Sequence, residues 1–185
     1  MTFDPRAALT VQQNETLNEF ISKLPEDLTP NQRAFCDEAC CLRYLRARDW
    51  DVKKSMKMLN NSLKWRDTYK PEAILAKDLE EEASSGKVYQ QGTDKLGRPV
   101  VYMTPARNTS TQYDKGVKLL IYTMEKAVAS MPEGQEQLIW FIDFKGYSSK
   151  HSIPINVAKE TIDILSNQYP ERLGACFFID TPAIF

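Results

Sequence analysis

The chain has 185 residues, of which 42% are hydrophobic and 26% are charged, which supports a buried core and excludes a disordered or fibrous protein. Its 24 lysine and arginine residues balance 25 acidic residues, so the basic excess of a nucleic-acid-binding protein is absent and we expect no nucleic-acid partner. The sequence shows neither a long apolar segment nor a signal-peptide pattern, so we expect a soluble, cytoplasmic protein.

Residues 1–85 are predicted to form an N-terminal helical region. Its first helix is indicated by apolar residues at helical spacing, and Pro25 ends it. Thr29, Pro30 and Gln32 match the start of a second helix, as N-cap, first helical residue and capping-box partner. We predict that this second helix is continuous, because helical spacing joins its apolar residues Phe35, Ala39, Leu42 and Leu45.

Two further helices complete this region in our prediction. Asp51 is placed to cap a helix whose apolar stripe begins at Val52 and continues through Leu63. Pro71 opens a last short helix, which ends in the acidic run Glu80–Glu82.

Residues 86–185 show the pattern of an α/β domain. Segments 88–91 and 100–103 are predicted strands, and the turn around Asp94–Gly97 joins them into a β-hairpin. An amphipathic helix follows, and Asp114 is its predicted cap.

Two uninterrupted apolar segments, Leu138–Ile142 and Ala175–Ile179, are predicted to be buried strands. A helical stripe between Ile155 and Tyr169 separates them along the chain. Strands of this kind, joined through a helix, are typical of parallel sheets covered by helices. The predicted fold class is therefore α/β, with an N-terminal helical bundle followed by a mixed or parallel sheet.

Patterns for catalysis or metal binding are weak. The sequence contains no glycine-rich phosphate loop and no nucleophile elbow. Asp143 and Asp180 follow predicted strands, where α/β sheets bind ligands, but such aspartates more often cap turns. His151 is predicted to be a solvated loop residue, with a role as a base left open. We interpret the cysteines as reduced core thiols and expect no enzyme activity, metal or cofactor; they are Cys36, Cys40, Cys41 and Cys176.

The local charge of residues 42–70 is more informative than the net charge. This segment contains nine basic and three acidic residues, which gives an excess of six positive charges. The basic residues are Arg43, Arg46, Arg48, Lys53, Lys54, Lys57, Lys64, Arg66 and Lys70. Two interpretations stay open at this point: a surface for phosphate or an anionic membrane, or ordinary solvated helix faces.

Aromatic residues on the predicted strands also allow two interpretations. Side chains alternate between the two faces of a strand, so one face packs against helices. The other face either walls a cavity for an apolar ligand or belongs to a second solid core. The residues concerned are Tyr102, Trp140, Phe141, Phe177 and Phe178.

Several segments together resemble the CRAL-TRIO family of lipid-binding proteins, in family order over residues 33–185. Segment 169–174, with the sequence YPERLG, is the most specific of them. The others are LRYLRARDWDV at 42–52, LKWR at 63–66, GKVY at 86–89, DKLGRPVVY at 94–102 and IDFKGYS at 142–148.

The resemblance implies a non-catalytic module that encloses one lipid, and it is strongest to phosphatidylinositol transfer proteins of the yeast secretory type. It implies that Arg48 lies near the inositol phosphate and that Glu171 binds the headgroup. Asp49 stands where relatives commonly carry a lysine, so it places a like charge near the phosphate. The residues expected to line the lipid pocket are Tyr102, Leu138, Trp140, Phe177 and Ile179.

Two departures from the family pattern shape our expectations. Leu138 and Trp140 stand where members that also hold phosphatidylcholine carry hydroxyl groups. Relatives continue beyond the position of Phe185 with a helix that closes the pocket, so we expect the sheet domain to be incomplete at its C-terminus.

The resemblance also implies the partners of the chain. They are a phospholipid or another hydrophobic ligand and, transiently, a membrane surface. The alternative is a protein-interaction module of the same fold that acts as an adaptor in membrane traffic or lipid signalling.

Overall fold

A computed structural model describes residues 4–182, and over this range the chain forms seven α-helices and four strands. Residues 183–185, at the end where we expect the sheet domain to be incomplete, lie outside the described residues. The helices are α1 Val11–Ser22, α2 Pro30–Phe35, α3 Glu38–Arg46, α4 Val52–Tyr69, α5 Glu80–Ser84, α6 Tyr113–Ala129 and α7 Ile155–Gln168. The strands are β1 Val88–Thr93, β2 Pro99–Met103, β3 Leu138–Asp143 and β4 Leu173–Ile179.

The chain forms two compact units. Residues up to Tyr69, with Ser166–Glu171, form the helical unit; Lys70–Leu165 and the residues from Arg172 onward form the sheet unit. The sequence pattern predicts that residues 70–85 belong to the helical region. The structure places them with the sheet, because α5 and the two short 3₁₀ segments before it contact α6.

Side-chain caps determine where the helices of the helical unit begin. α1 and α2 both start with a capping box, and the predicted pair Thr29 and Gln32 forms the second one. The predicted continuous helix is wrong, because Asp37 accepts a hydrogen bond from the Cys40 backbone N–H at 2.6 Å and starts a separate helix, α3. Asp51 caps α4 as predicted, since its Oδ1 accepts from the Lys54 backbone N–H at 2.9 Å.

The helical unit has a core of its own between α1, α3 and α4. Phe20, Tyr44 and Leu59 are fully buried in it. Three of the cysteines lie in the same core as free thiols, and burial raises the pKa of Cys36 to about 11 and that of Cys41 to about 12. Thiols with such pKa values stay protonated and unreactive at neutral pH.

The sheet unit contains a mixed four-stranded sheet in the order β1-β2-β3-β4. β1 and β2 form the predicted antiparallel hairpin, and the Asp94 carboxylate holds its turn by accepting from the backbone N–H groups of Leu96 and Arg98 at 2.9 Å. β2, β3 and β4 are parallel, which confirms the predicted α/β class. α6 begins at Tyr113, so Asp114 lies in its first turn instead of at the N-cap.

α6 and α7 cover the same face of this sheet. Leu120 of α6 and Val157 of α7 line one cavity together with Val88 and Met103 of the hairpin. A parallel connection returns over the sheet with a fixed hand, so two successive crossovers in one direction leave their helices on one side. The sheet therefore has a helix-covered face and an opposite face.

We expect Leu59→Ala to destabilise the helical unit by about 2–5 kcal/mol, because Leu59 is fully buried and alanine leaves a cavity. Leu96→Ala is the matched control, since Leu96 is 68% exposed at the hairpin turn. Urea unfolding measures the free energy of unfolding of both variants. Equal losses would contradict the packing described for α4.

Candidate functional site

One face of the sheet carries a row of four stacked aromatic rings, one from each strand. The rings of Tyr89, Tyr102, Phe141 and Phe177 follow one another at centroid distances of 5.2, 5.7 and 4.9 Å. Ile179 lies on this face as well, two residues after Phe177 on β4. Phe177 is 48% exposed and Ile179 is 42% exposed, so solvent reaches the row at β4.

The helix-covered face contains an apolar cavity of about 270 Å³. Val88 and Met103 form its floor, while Leu120 of α6 and Val157 of α7 contribute to its walls. A concave, mostly apolar space with a few polar groups at its margin is the usual form of a small-ligand site. This cavity is the candidate functional site of the sheet unit.

The predicted pocket-lining residues do not share one wall. Tyr102, Phe177 and Ile179 lie on the face with the aromatic row, whereas Leu138 and Trp140 point to the helix-covered face. Leu138 is fully buried and Trp140 is 9% exposed, so both are core residues beneath the helices. None of the five lines the cavity of about 270 Å³, and their role in a lipid pocket stays a prediction.

A buried ion pair borders this cavity, and no sequence pattern indicated it. The Lys87 ammonium pairs with the Glu82 carboxylate and also donates to Asn108 Oδ1 at 2.9 Å. Gly116 of α6 leaves room for the pair, since a β-carbon there would lie 3.3 Å from the Lys87 nitrogen. The two charges compensate each other, so the apolar cavity gains no net charge from this cluster.

In the helical unit, Arg48 is held in place by two acceptors. Its guanidinium donates to the Ala47 carbonyl at 2.7 Å and to Asn167 Oδ1 at 3.2 Å. Asn167 is itself fixed, because its carbonyl accepts from the Ser62 hydroxyl at 3.0 Å. Asn167 was not predicted, since no sequence pattern indicates a contact across 119 positions. Glu171 follows Asn167 by four residues.

The backbone places Asp49 and Glu171 in an unusual conformation. Their φ angles are 51° and 60°, in the left-handed region that residues other than glycine rarely adopt. Aspartate tolerates this region better than lysine does, because its short side chain bonds locally. The roles of Arg48, Asp49 and Glu171 at a headgroup stay predictions.

Three lysines form an exposed stripe on α4. Lys53, Lys57 and Lys64 are separated by four and seven residues, so they share one side of the helix, and each is exposed. Within residues 4–182 none of the three forms an ion pair, whereas Lys54 pairs with Asp51 at 3.4 Å. We call these three residues the lysine stripe.

Two further candidates from the sequence, Asp143 and His151, serve local structure. Asp143 Oδ1 accepts from the Lys145 backbone N–H at 2.9 Å, which is a turn contact. His151 Nδ1 accepts from the Ser148 backbone N–H at 3.0 Å. In the described part of the chain, no three histidine, cysteine or acidic side chains are grouped closely enough to hold a metal ion. No helix between residues 4 and 182 is both long and apolar enough to span a bilayer.

Comparison with known proteins gives the family. The profile described as "CRAL/TRIO domain" matches residues 83–185, and the one described as "CRAL/TRIO, N-terminal domain" matches residues 13–61. The first match alone covers more than half of the chain. The chain belongs to the CRAL/TRIO family. This confirms the resemblance that the sequence motifs indicated.

Individual relatives agree with this assignment. A CRAL-TRIO domain-containing protein of Schizosaccharomyces pombe is 34% identical over 156 residues, which span 84% of this chain and 16% of that protein. The phosphatidylinositol transfer protein PDR17 of Saccharomyces cerevisiae is 32% identical over 203 residues, which span 96% of this chain and 57% of that protein. The chain therefore spans less than two thirds of the length of either relative.

A solved structure supports the fold. The crystal structure of Sfh5 superposes on the chain with a TM-score of 0.71 at 19% identity, covering 100% of this chain and 74% of that one. At this level of identity the likeness shows the fold and no more.

Proposed function

We propose that this CRAL/TRIO chain binds a lipid and transfers it between membranes without catalysing a reaction. The observation that carries the proposal is the apolar cavity of about 270 Å³ beneath α6 and α7. An alkyl chain buried there gains about 25 cal/mol for each Å² of apolar surface removed from water. The strand-end carboxylate of Asp143 is engaged in a turn, which supports a binding role over an enzymatic one.

Phosphatidylinositol is the lipid that we propose for the chain. Arg48 supplies a fixed cation for the phosphodiester, and its contact with Asn167 limits the directions in which the guanidinium points. Glu171 supplies acceptors for the inositol hydroxyls. Similarity to a protein named as a phosphatidylinositol transfer protein, at 32% identity, supports this choice.

The lysine stripe supports a transient encounter with a membrane. A cytosolic carrier has to approach an anionic membrane surface to exchange its lipid, and exposed basic residues near such a surface contribute about 1 kcal/mol each. The lysine stripe supports the first of the two interpretations of residues 42–70, a surface for phosphate or an anionic membrane. An adaptor role in membrane traffic or lipid signalling is the alternative, and it requires a protein partner in place of a bound lipid.

We expect the chain to transfer phosphatidylinositol, and not phosphatidylcholine, between vesicles. The Glu171 carboxylate offers acceptors to the inositol hydroxyls, whereas a choline headgroup has no hydroxyl to donate to it. Glu171→Ala should lower phosphatidylinositol transfer about ten-fold. Glu160→Ala, an exposed position on α7, is the control. Efficient phosphatidylcholine transfer by the wild-type chain would contradict the proposed specificity.

Neutralising Asp49 should strengthen phosphatidylinositol binding. A carboxylate about 4 Å from a phosphate is repelled by about 1 kcal/mol in water, so Asp49→Asn should raise the affinity about five-fold at low salt. Asparagine also accepts the left-handed backbone at this position, which a lysine would strain. Asp27→Asn is the control in the same unit, and equal affinities of both variants at low salt would show that position 49 does not sense the headgroup.

Removing the lysine stripe should weaken binding to anionic vesicles. We expect the triple variant Lys53→Gln, Lys57→Gln, Lys64→Gln to partition about a hundred-fold more weakly onto phosphatidylserine-containing vesicles, because each lysine contributes about 1 kcal/mol. Sedimentation with these vesicles at low and high salt measures the effect. The control neutralises three other exposed lysines, Lys95, Lys118 and Lys159. Equal losses in both triple variants would assign the attraction to net charge instead of to the stripe.

A further inference from the structure

A second, polar cavity of about 300 Å³ adjoins the apolar cavity of the sheet unit. Four residues line both spaces, so the two are neighbours; they are Asn108, Ser110, Tyr113 and His151. The remaining lining of the second space consists of threonine and serine side chains and Lys150. We call this second space the polar mouth.

The charges around the two spaces are distributed unequally. Lys87 borders the apolar cavity, but the Glu82 carboxylate compensates its charge. Lys150 is exposed at the polar mouth and, over residues 4–182, it has no ion-pair partner. The polar mouth therefore offers an uncompensated cation, whereas the apolar cavity is electrically neutral.

His151 adds a hydrogen-bond donor at the same place. Its Nδ1 accepts from the Ser148 backbone N–H at 3.0 Å, so the proton of the neutral ring resides on Nε2. The ring lines both spaces. A donor beside an ammonium group and several hydroxyls is a set of groups that suits an oxyanion.

The volume of the apolar cavity limits how many alkyl chains a ligand can place in it. Its volume of about 270 Å³ lies just below the range of roughly 300–1,000 Å³ that is usual for pockets of drug-sized ligands. Such a space suits one alkyl chain better than two. The polar mouth adjoins this space at the four lining residues that the two share.

We propose that the apolar cavity and its polar mouth form a site for a single-chain amphiphile with an anionic end group, either a carboxylate or a phosphate. The alkyl chain lies between Met103, Leu120 and Val157, and the anion contacts Lys150 and His151. The inference rests on the proposed function in one respect, since it requires that the cavity accepts an alkyl chain. It adds the chemical class of a ligand that nothing in the family assignment specifies.

Titration calorimetry on the full chain tests the site with five probes: oleate, lysophosphatidate, lysophosphatidylcholine, butyrate and inorganic phosphate. We expect oleate and lysophosphatidate to bind more tightly than lysophosphatidylcholine, and butyrate and phosphate to bind far more weakly than any of the three. Lys150→Met should weaken the two anionic amphiphiles about ten-fold, the loss of one charge-assisted hydrogen bond. Lys145→Met, an exposed lysine that lines neither space, should change nothing.

The outcomes separate this inference from the proposed function. If lysophosphatidylcholine binds as tightly as lysophosphatidate and Lys150→Met has no effect, the anion site is overturned while lipid binding stands. If inorganic phosphate binds as tightly as lysophosphatidate, the polar mouth is a site for free phosphate, and the proposal of an amphiphile as its ligand is contradicted. If none of the three long-chain probes binds, the cavity does not accept alkyl chains, and both the inference and the proposed function fail.

Discussion

Parallel pairing of β2, β3 and β4 is the constraint on which the candidate site depends. Each parallel pair requires a crossover helix, and crossovers of one hand bring α6 and α7 to the same face of the sheet. That face is packed, and the gap that remains between its side chains and the two helices is the apolar cavity. The opposite face keeps its aromatic row, which is partly exposed at β4.

Electrostatics explains why this cavity suits an alkyl chain and where polar groups of a ligand can lie. Burying Lys87 alone at an apolar wall would be costly, and Glu82 offsets that cost by pairing with it. Cations without a compensating acid occur at the polar mouth and on α4. The wall therefore favours hydrocarbon, and anionic groups are attracted to the surface of each unit.

Much of this architecture was predictable from local patterns. Turn residues, capping boxes and apolar periodicity depend on neighbours within a few positions, so the hairpin, the two later strands and most helices were correctly predicted. The continuous second helix was wrong because Asp37 bonds to a backbone N–H three residues ahead, and that local bond starts a new helix inside an otherwise periodic segment. The preference for aspartate at N-caps is the sequence signal that could have indicated a helix start at Asp37.

Strand register was not predictable, and it decides which of the predicted pocket residues share a face of the sheet. Alternation shows that Leu138 and Trp140 share a face, and that Phe177 and Ile179 share one. Alternation does not show whether the two pairs lie on the same face of the sheet or on opposite faces. The register that aligns Phe141 with Phe177 places the two pairs on opposite sides of the sheet. The contact of Arg48 with Asn167 is equally non-local, and no pattern along the chain indicates it.

The central claim is that the space beneath α6 and α7 holds a lipid chain, and native mass spectrometry of the purified chain tests it most directly. Val157→Trp fills the cavity, and Ile162→Trp places the same side chain at a 63% exposed position of the same helix. Circular dichroism confirms that both variants are folded. We expect one bound lipid in the wild-type chain and in Ile162→Trp, and none in Val157→Trp. Equal lipid occupancy in all three proteins would contradict it.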